Sequence, residues 1–207
     1  DGSIALYTPG IAVLNNISLD HKSLDELRLL FGDFAGKAKT AVLNLDNAET
    51  AALAATRAPG SVSSYSLKDR AANFLGTKLK PAQDGIVFDV TEKESGASAK
   101  IELRMPGQHN AANALAAIAA ARACGVSLED AAAALKSFAG IRRRLEFVGT
   151  ANGVTVIDDF AHNPDKIEAS LSTLHDFPGR LLVMFQPQGY GPLKMMRAEF
   201  IDCFVRN

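Results

Sequence analysis

Asp158-Asp159-Phe160-Ala161-His162-Asn163-Pro164 carries the sharpest local chemistry of the chain. Two adjacent carboxylates suit the paired hydroxyls of a ribose. Asn163 reads as a helix N-cap and Pro164 as the first helical residue, so a helix N-terminus that favours an anion stands beside them. Capping accounts for Asn-Pro but leaves Asp158, Asp159 and His162 unexplained.

A second constellation is Gly107-Gln108-His109-Asn110-Ala111-Ala112-Asn113. His109 and Asn113 stand four apart and share one helix face, among neighbours that are nearly all alanine or leucine. A side-chain amide can read both donor and acceptor edges of a base, and imidazole can stack or bond. Asn110 as a helix cap is the alternative. In Asn15-Asn16-Ile17-Ser18-Leu19-Asp20-His21, polar residues follow an apolar run, where an open α/β sheet faces its ligand crevice. A carboxylate and an imidazole there can hold a metal directly or through water; otherwise Asp20 caps the coming helix and His21 is solvated. Mg²⁺ prefers oxygen ligands, which makes a direct histidine ligand atypical. Finally, Arg142-Arg143-Arg144-Leu145-Glu146, if extended, puts Arg142, Arg144 and Glu146 on one side. It is either a solvated charged face or, at a junction of two units, an arginine clamp for phosphate or ribose.

The elements that must position these residues follow from apolar spacing. Ile11–Asn15 and Thr40–Leu45 read as buried parallel strands. Ser23 caps a helix with Leu24, Leu27, Leu30, Phe31 and Phe34 on one face, and a short alanine-rich helix covers about Ala48–Thr56. Strand, helix, strand, helix is βαβ order, so the fold class is α/β with a parallel sheet. Ser61–Tyr65, Phe74–Leu79, Gly85–Val90 and Lys100–Arg104 are spaced as antiparallel strands joined by hairpins. Helices over about Gln108–Cys124 and Leu128–Phe138 follow, the second capped by Ser127. A boundary at Gly140–Arg144 divides residues 1–141 from a second α/β unit, 142–207. That unit opens with a hairpin around Asn152-Gly153, then a helix from Pro164 to about His175. A strand at Arg180–Phe185 and a helix at Leu193–Val205 complete it.

Composition excludes several classes. The 22 Lys+Arg residues stand against 23 Asp+Glu, which disfavours a nucleic-acid partner, since such binders carry a basic excess. The longest apolar run, Ala114–Ala121, is far short of the roughly 18 residues of a membrane span. Two lone cysteines, Cys124 and Cys203, have neither metal-ligand spacing nor a disulfide framework, and the expected setting is a reducing, cytoplasmic one. The opening Asp1-Gly2-Ser3 reads as a cut inside something longer.

Taken together, these segments resemble the Mur ligase family of ATP-dependent amide-forming enzymes, over nearly the whole chain. DGSIALYTPGIAVLNNISLDH is similar to the region around that family's metal-binding histidine, MPGQHNAANALAAIAAA to its adenine-contacting segment, and RRRLEFVGTANGVTVIDDFAHNP to the start of its C-terminal domain. LNN…DHKS, RRRLE and DDFAHNP most resemble the branch that attaches a tripeptide to UDP-N-acetylmuramate during wall recycling. The branch that attaches L-alanine to it comes next. His162-Asn163-Pro164 replaces the His-His-Pro common to both. The resemblance implies that residues 1–141 are the C-terminal part of the central ATP-binding domain and 142–207 the Rossmann-like start of the C-terminal domain. It implies ATP and Mg²⁺ as cofactors, UDP-N-acetylmuramate and an amino acid or peptide as partners, and a role in bacterial wall synthesis, and so in cell shape and division. His21 would join the magnesium site. His109, Asn110 and Asn113 would contact adenine, Arg144 phosphate or ribose, and Asp159 ribose, while His162 would face the active cleft. The family's phosphate loop with its GKT signature is not in these 207 residues, so the chain alone is expected to turn over no ATP. Two other readings are a noncatalytic nucleotide-binding or assembly protein of the same fold, and a ligase that polyglutamylates folate.

Overall fold

A computed structural model describes residues 2–19 and 22–207. Two sheets organise them. In the larger, six strands lie in chain order: β1 (Ile11–Leu14), β2 (Thr40–Asn44), β3 (Val62–Ser66), β4 (Phe74–Ala82), β5 (Gly85–Glu92) and β6 (Ser98–Leu103). β1 through β4 pair in parallel, and β4, β5 and β6 pair antiparallel. The mixed sheet is therefore continuous, and its hairpins extend the parallel part rather than forming a separate body.

Helices α1 (Leu24–Lys37) and α2 (Ala48–Ala55) cover one face, and α3 (Gln108–Ala123) covers the other. β2 shows why. Its Ala41 and Leu43 join Leu14 and Ala35 in one apolar cluster, whereas Val42 points oppositely into the large core with Tyr65, Phe88, Leu115 and Ile118. A strand apolar on both faces needs a layer on each side. Alanine dominates α3, which lets its axis lie close to the sheet; Ala111 and Ala119 are fully buried. α4 (Leu128–Ser137) packs beside β6, with Ser127 accepting the Asp130 amide at its N-terminus. At α1, Ser23 and Glu26 form a reciprocal capping box.

The second unit is smaller. β7 (Glu146–Ala151) and β8 (Val154–Asp158) form a hairpin whose Asn152 and Gly153 both take positive φ, 52° and 76°. That is the turn that an Asn-Gly pair favours. α5 (Pro164–Leu174), α6 (Tyr190–Met195) and α7 (Arg197–Val205) follow. Ile167 and Leu171 of α5 meet Phe200 and Cys203 of α7 in their own apolar cluster, to which Leu19 also contributes.

Several expectations are corrected. β1 is parallel but lies at the sheet edge, with Val13 41% exposed. β3 is not antiparallel: it pairs in parallel on both sides, although only Tyr65 and Ser66 face β4. The short link to β4 is held by side chains instead of a helix, for Asp46 accepts the Leu67 amide at 2.7 Å and Asn73 accepts the Ser64 amide at 2.8 Å. β4 also runs on through Pro81 after a bulge between Thr77 and Lys80. Arg180–Phe185 forms no strand. Leu181 and Phe185 turn into the α5–α7 cluster while Leu182, Val183 and Met184 stay exposed, and among the described residues no strand pairs with them. The last helix breaks at Met196 (φ −112°, ψ 33°) into α6 and α7.

Candidate nucleotide-binding cleft

A cleft of about 960 Å³ lies where the first turns of α3 meet the second unit. Gly107 starts α3 with φ +99°, and a Cβ there would collide with the Thr173 hydroxyl and lie 2.8 Å from the His109 ring. Glycine is thus required on two counts, conformation and space. The tight start brings His109, Asn110 and Asn113 to the cleft wall. Asn110 is buried and its Nδ2 donates to the Pro106 carbonyl at 2.7 Å. The N-cap is Gly107, without a side-chain bond, so Asn110 does not cap this helix. Thr173 Oγ1 donates to the Ala169 carbonyl, which leaves it as an acceptor for His109 Nδ1 at 3.5 Å. Burial holds the His109 imidazole below the usual histidine range, against a smaller opposite pull from the Asp159 carboxylate. A neutral ring with its proton on Nδ1 keeps Nε2 as an acceptor.

The opposite wall comes from two segments of the second unit. Arg142–Leu145 is a turn, not an extended run, because Arg143 (φ 58°) and Leu145 (φ 49°) are both left-handed. The reversal sends Arg143 to Asp158, 3.3 Å away, and leaves Arg144 on the cleft. Both guanidinium groups lie over the Phe160 ring, at 5.0 and 5.7 Å from its centroid. Asp159 lines the cleft as well; it accepts the Leu145 amide at 3.2 Å and the Ser170 hydroxyl. On α5, Asn163 accepts the Lys166 amide as N-cap and Pro164 takes the first turn, which aims Lys166 and Ser170 at the same space. Along α3 and α4 the lining turns apolar, with Ala117, Ile118, Leu135 and Phe138. One end of the cleft can therefore take a flat apolar group bordered by amides, the other a polar group bordered by the cations Arg144 and Lys166 and the carboxylates Asp159 and Asp165.

Residues 2–121 match the Mur ligase middle domain, and residues 143–205 match the Mur ligase glutamate ligase domain. The chain belongs to the Mur ligase family. A UDP-N-acetylmuramate–L-alanine ligase of Trichormus variabilis is 35% identical over 99% of this chain, which covers 43% of that protein. An enzyme of the same name from Mycolicibacterium vanbaalenii is 36% identical over 97% of the chain and 45% of its own length. Among solved structures, a murein peptide ligase of Psychrobacter arcticus is 33% identical, with a TM-score of 0.63 over 82% of this chain and 35% of that one. The UDP-N-acetylmuramate–alanine ligase of Thermotoga maritima shares the fold, with a TM-score of 0.75 at 24% identity over 95% of this chain and 46% of its own. The chain spans less than half the length of the curated relatives it matches.

In this Mur ligase chain, five residues singled out from sequence gather on one cleft: His109, Asn110, Asn113, Arg144 and Asp159. His162 is not among its lining residues. Its Nδ1 faces the Phe160 carbonyl at 3.0 Å and its Nε2 faces Lys166 Nζ at 3.3 Å. Asp20 and His21 lie outside the described residues. Asn15 and Asn16, just past the β1 end, both reach the cleft. Sequence reasoning missed Lys166, Ser170 and Thr173. Their spacing of four and three on one amphipathic helix was the available signal, since it puts three polar side chains on the face next to Asn163.

Proposed function

We propose that the chain is the nucleotide-holding part of an ATP-dependent, ADP-forming amide ligase of peptidoglycan synthesis or recycling. In this reading the junction at Gly140–Arg144 separates the central domain from the C-terminal one. The observation that carries it is the shared cleft, in which the amides of α3 face Arg144 and Asp159 of the second unit. Adenine fits the apolar end beside Asn113, ribose fits Asp159, and the phosphates fit the side where Arg144 and Lys166 stand. Mg²⁺ rests on His21 by resemblance; among the described residues there is no group of three or more His, Cys, Asp or Glu that could hold a metal. His162, bonded to Lys166, acts from behind the phosphate side rather than on the base.

The whole enzyme would transfer the terminal phosphoryl group of ATP to the carboxylate of UDP-N-acetylmuramate and release ADP. That phosphorylation turns a poor oxygen leaving group into a good one; an amine then attacks the acyl carbon, loses a proton, and phosphate leaves. The names of the relatives favour L-alanine as acceptor, and the 33% identical murein peptide ligase favours a peptide. The unpaired cysteines fit a cytoplasmic setting, and among the described residues no helix is long and apolar enough to cross a membrane.

The test is titration of the chain with adenosine, followed by amide chemical shifts. Shifts should cluster at the start of α3 and at 159–170, and Asn113→Ala should weaken binding by about tenfold, the scale of one paired amide contact. Saturable binding that leaves both segments unmoved sinks the reading.

A further inference from the structure

Tyr65 is fully buried, yet its hydroxyl lies in the polar layer at the carboxyl ends of β1, β2 and β3. It starts a chain of side-chain hydrogen bonds that ends at the cleft. Tyr65 Oη donates to Asn15 Oδ1 at 3.0 Å, and Asn15 Nδ2 donates to Asn113 Oδ1 at 2.9 Å. Asn113 Nδ2 faces Asn110 Oδ1 at 3.5 Å, and Asn110 Nδ2 donates to the Pro106 carbonyl at 2.7 Å. Three amides in series can flip unless an end holds them. The buried phenol proton needs an acceptor, which Asn15 Oδ1 supplies, so Asn15 turns its NH₂ to Asn113 and Asn113 turns its oxygen to Asn15. At the far end Asn110 is held by the Pro106 carbonyl, but its 3.5 Å contact with Asn113 is too long to orient that amide by itself. Burial and the nearby Asp46 carboxylate hold the Tyr65 phenol far above the usual range, which keeps the proton that the bond to Asn15 needs. The Asn15 backbone is itself pinned, its carbonyl accepting from Asn44 Nδ2 at 3.0 Å.

We propose that Tyr65 and Asn15 are positioning residues that fix the orientation of the Asn113 amide and thereby select adenine over 6-oxopurines. The proposal rests on the adenine reading of the cleft. In the fixed orientation Asn113 keeps one free lone pair on Oδ1 and one free N–H on Nδ2. That pair complements the N6 donor and N7 acceptor of adenine. Hypoxanthine presents O6 where adenine presents N6, so an acceptor would meet an acceptor. Tyr65→Phe removes the donor at the head of the series and frees Asn15 to rotate. Asn15→Asp sets an acceptor-only carboxylate against Asn113 and turns that amide round.

The experiment measures the affinities of adenosine and inosine for the 207-residue chain and its two variants by calorimetry or NMR titration, with unfolding curves beside them. The wild-type chain should prefer adenosine by about tenfold. Tyr65→Phe should bring the ratio towards one by weakening adenosine while inosine stays the same. Asn15→Asp, which also serves if Tyr65→Phe fails to fold, should lower the ratio further. A merely structural role would change both affinities alike. Preference for adenosine that persists in both variants overturns the relay and leaves the adenine site standing. Equal wild-type affinities also overturn the relay alone. No adenosine binding by the wild-type chain overturns the relay together with the reading on which it rests.

Discussion

Asp159 accepts the Leu145 amide and the Ser170 hydroxyl, while its neighbour Asp158 meets Arg143 in solvent, with both side chains about half exposed. The alternation of a strand end explains the split, since successive residues point to opposite sides. The two carboxylates should therefore differ on substitution. Asp159→Ala leaves a partly buried amide and hydroxyl without their acceptor and should cost roughly 2 kcal/mol of stability, together with adenosine affinity. Asp158→Ala removes an exposed ion pair and should cost less than about 1 kcal/mol, with adenosine affinity unchanged. Urea unfolding and adenosine titration of both variants check this; equal losses would mean that Asp159 has no special place. The Asp-Asp pair was visible in the sequence as a ribose candidate. Its attachment to Leu145 and Ser170, 14 and 11 residues away, was not, because only folding brings those groups within hydrogen-bond reach.

At the scale of elements, Glu92 at the end of β5 holds Arg122 in the last turn of α3 through two bonds of 2.9 and 3.1 Å. The same guanidinium donates to the Val126 carbonyl between α3 and α4, and Ser95 donates to Glu92. One ion pair thus ties the β5–β6 hairpin to the helical layer. The Arg122 guanidinium, and after it the Ser95 hydroxyl, hold the Glu92 carboxyl below the usual range, against the effect of burial. A carboxyl lowered on folding stabilises the fold at pH above its ordinary value and loses that contribution as pH falls through its folded value. Arg122→Met should therefore cost roughly 2 kcal/mol near pH 7. The gap to wild type should close as the solution is acidified below the carboxylate range. Unfolding midpoints at several pH values test it, and a gap that stays constant into acid would show that lost packing, not the ion pair, is responsible. Capping at Ser23, Ser127 and Asn163 could be read from sequence because each cap bonds an amide three residues on. Glu92 and Arg122, 30 residues apart, carry no such local mark.

Across the whole molecule, order is expected to be uneven. β2 is paired on both sides and buried on both faces, whereas residues 181–185 have no ladder and three exposed apolar side chains in succession. Hydrogen exchange should be slow for the β2 amides and close to free-peptide rates for 181–185. Protection of 181–185 comparable to β2 would mean that the segment pairs as a strand after all.

The sequence by itself determined the α/β class, most of the helices with the caps at Ser23, Ser127 and Asn163, the Asn-Gly hairpin, and five of the residues that meet in the cleft. These are properties of local spacing, capping and backbone preference, and they act within a few residues. Tertiary structure alone decided that β3 pairs in parallel, that β1 is an edge and that Arg180–Phe185 stays unpaired, because a strand's identity depends on which strand lies beside it. It also decided that Asn113 is held from Tyr65, 48 residues away in the chain. Hydrogen bonds between distant side chains form only when packing sets their distance, and no pattern along the chain encodes that.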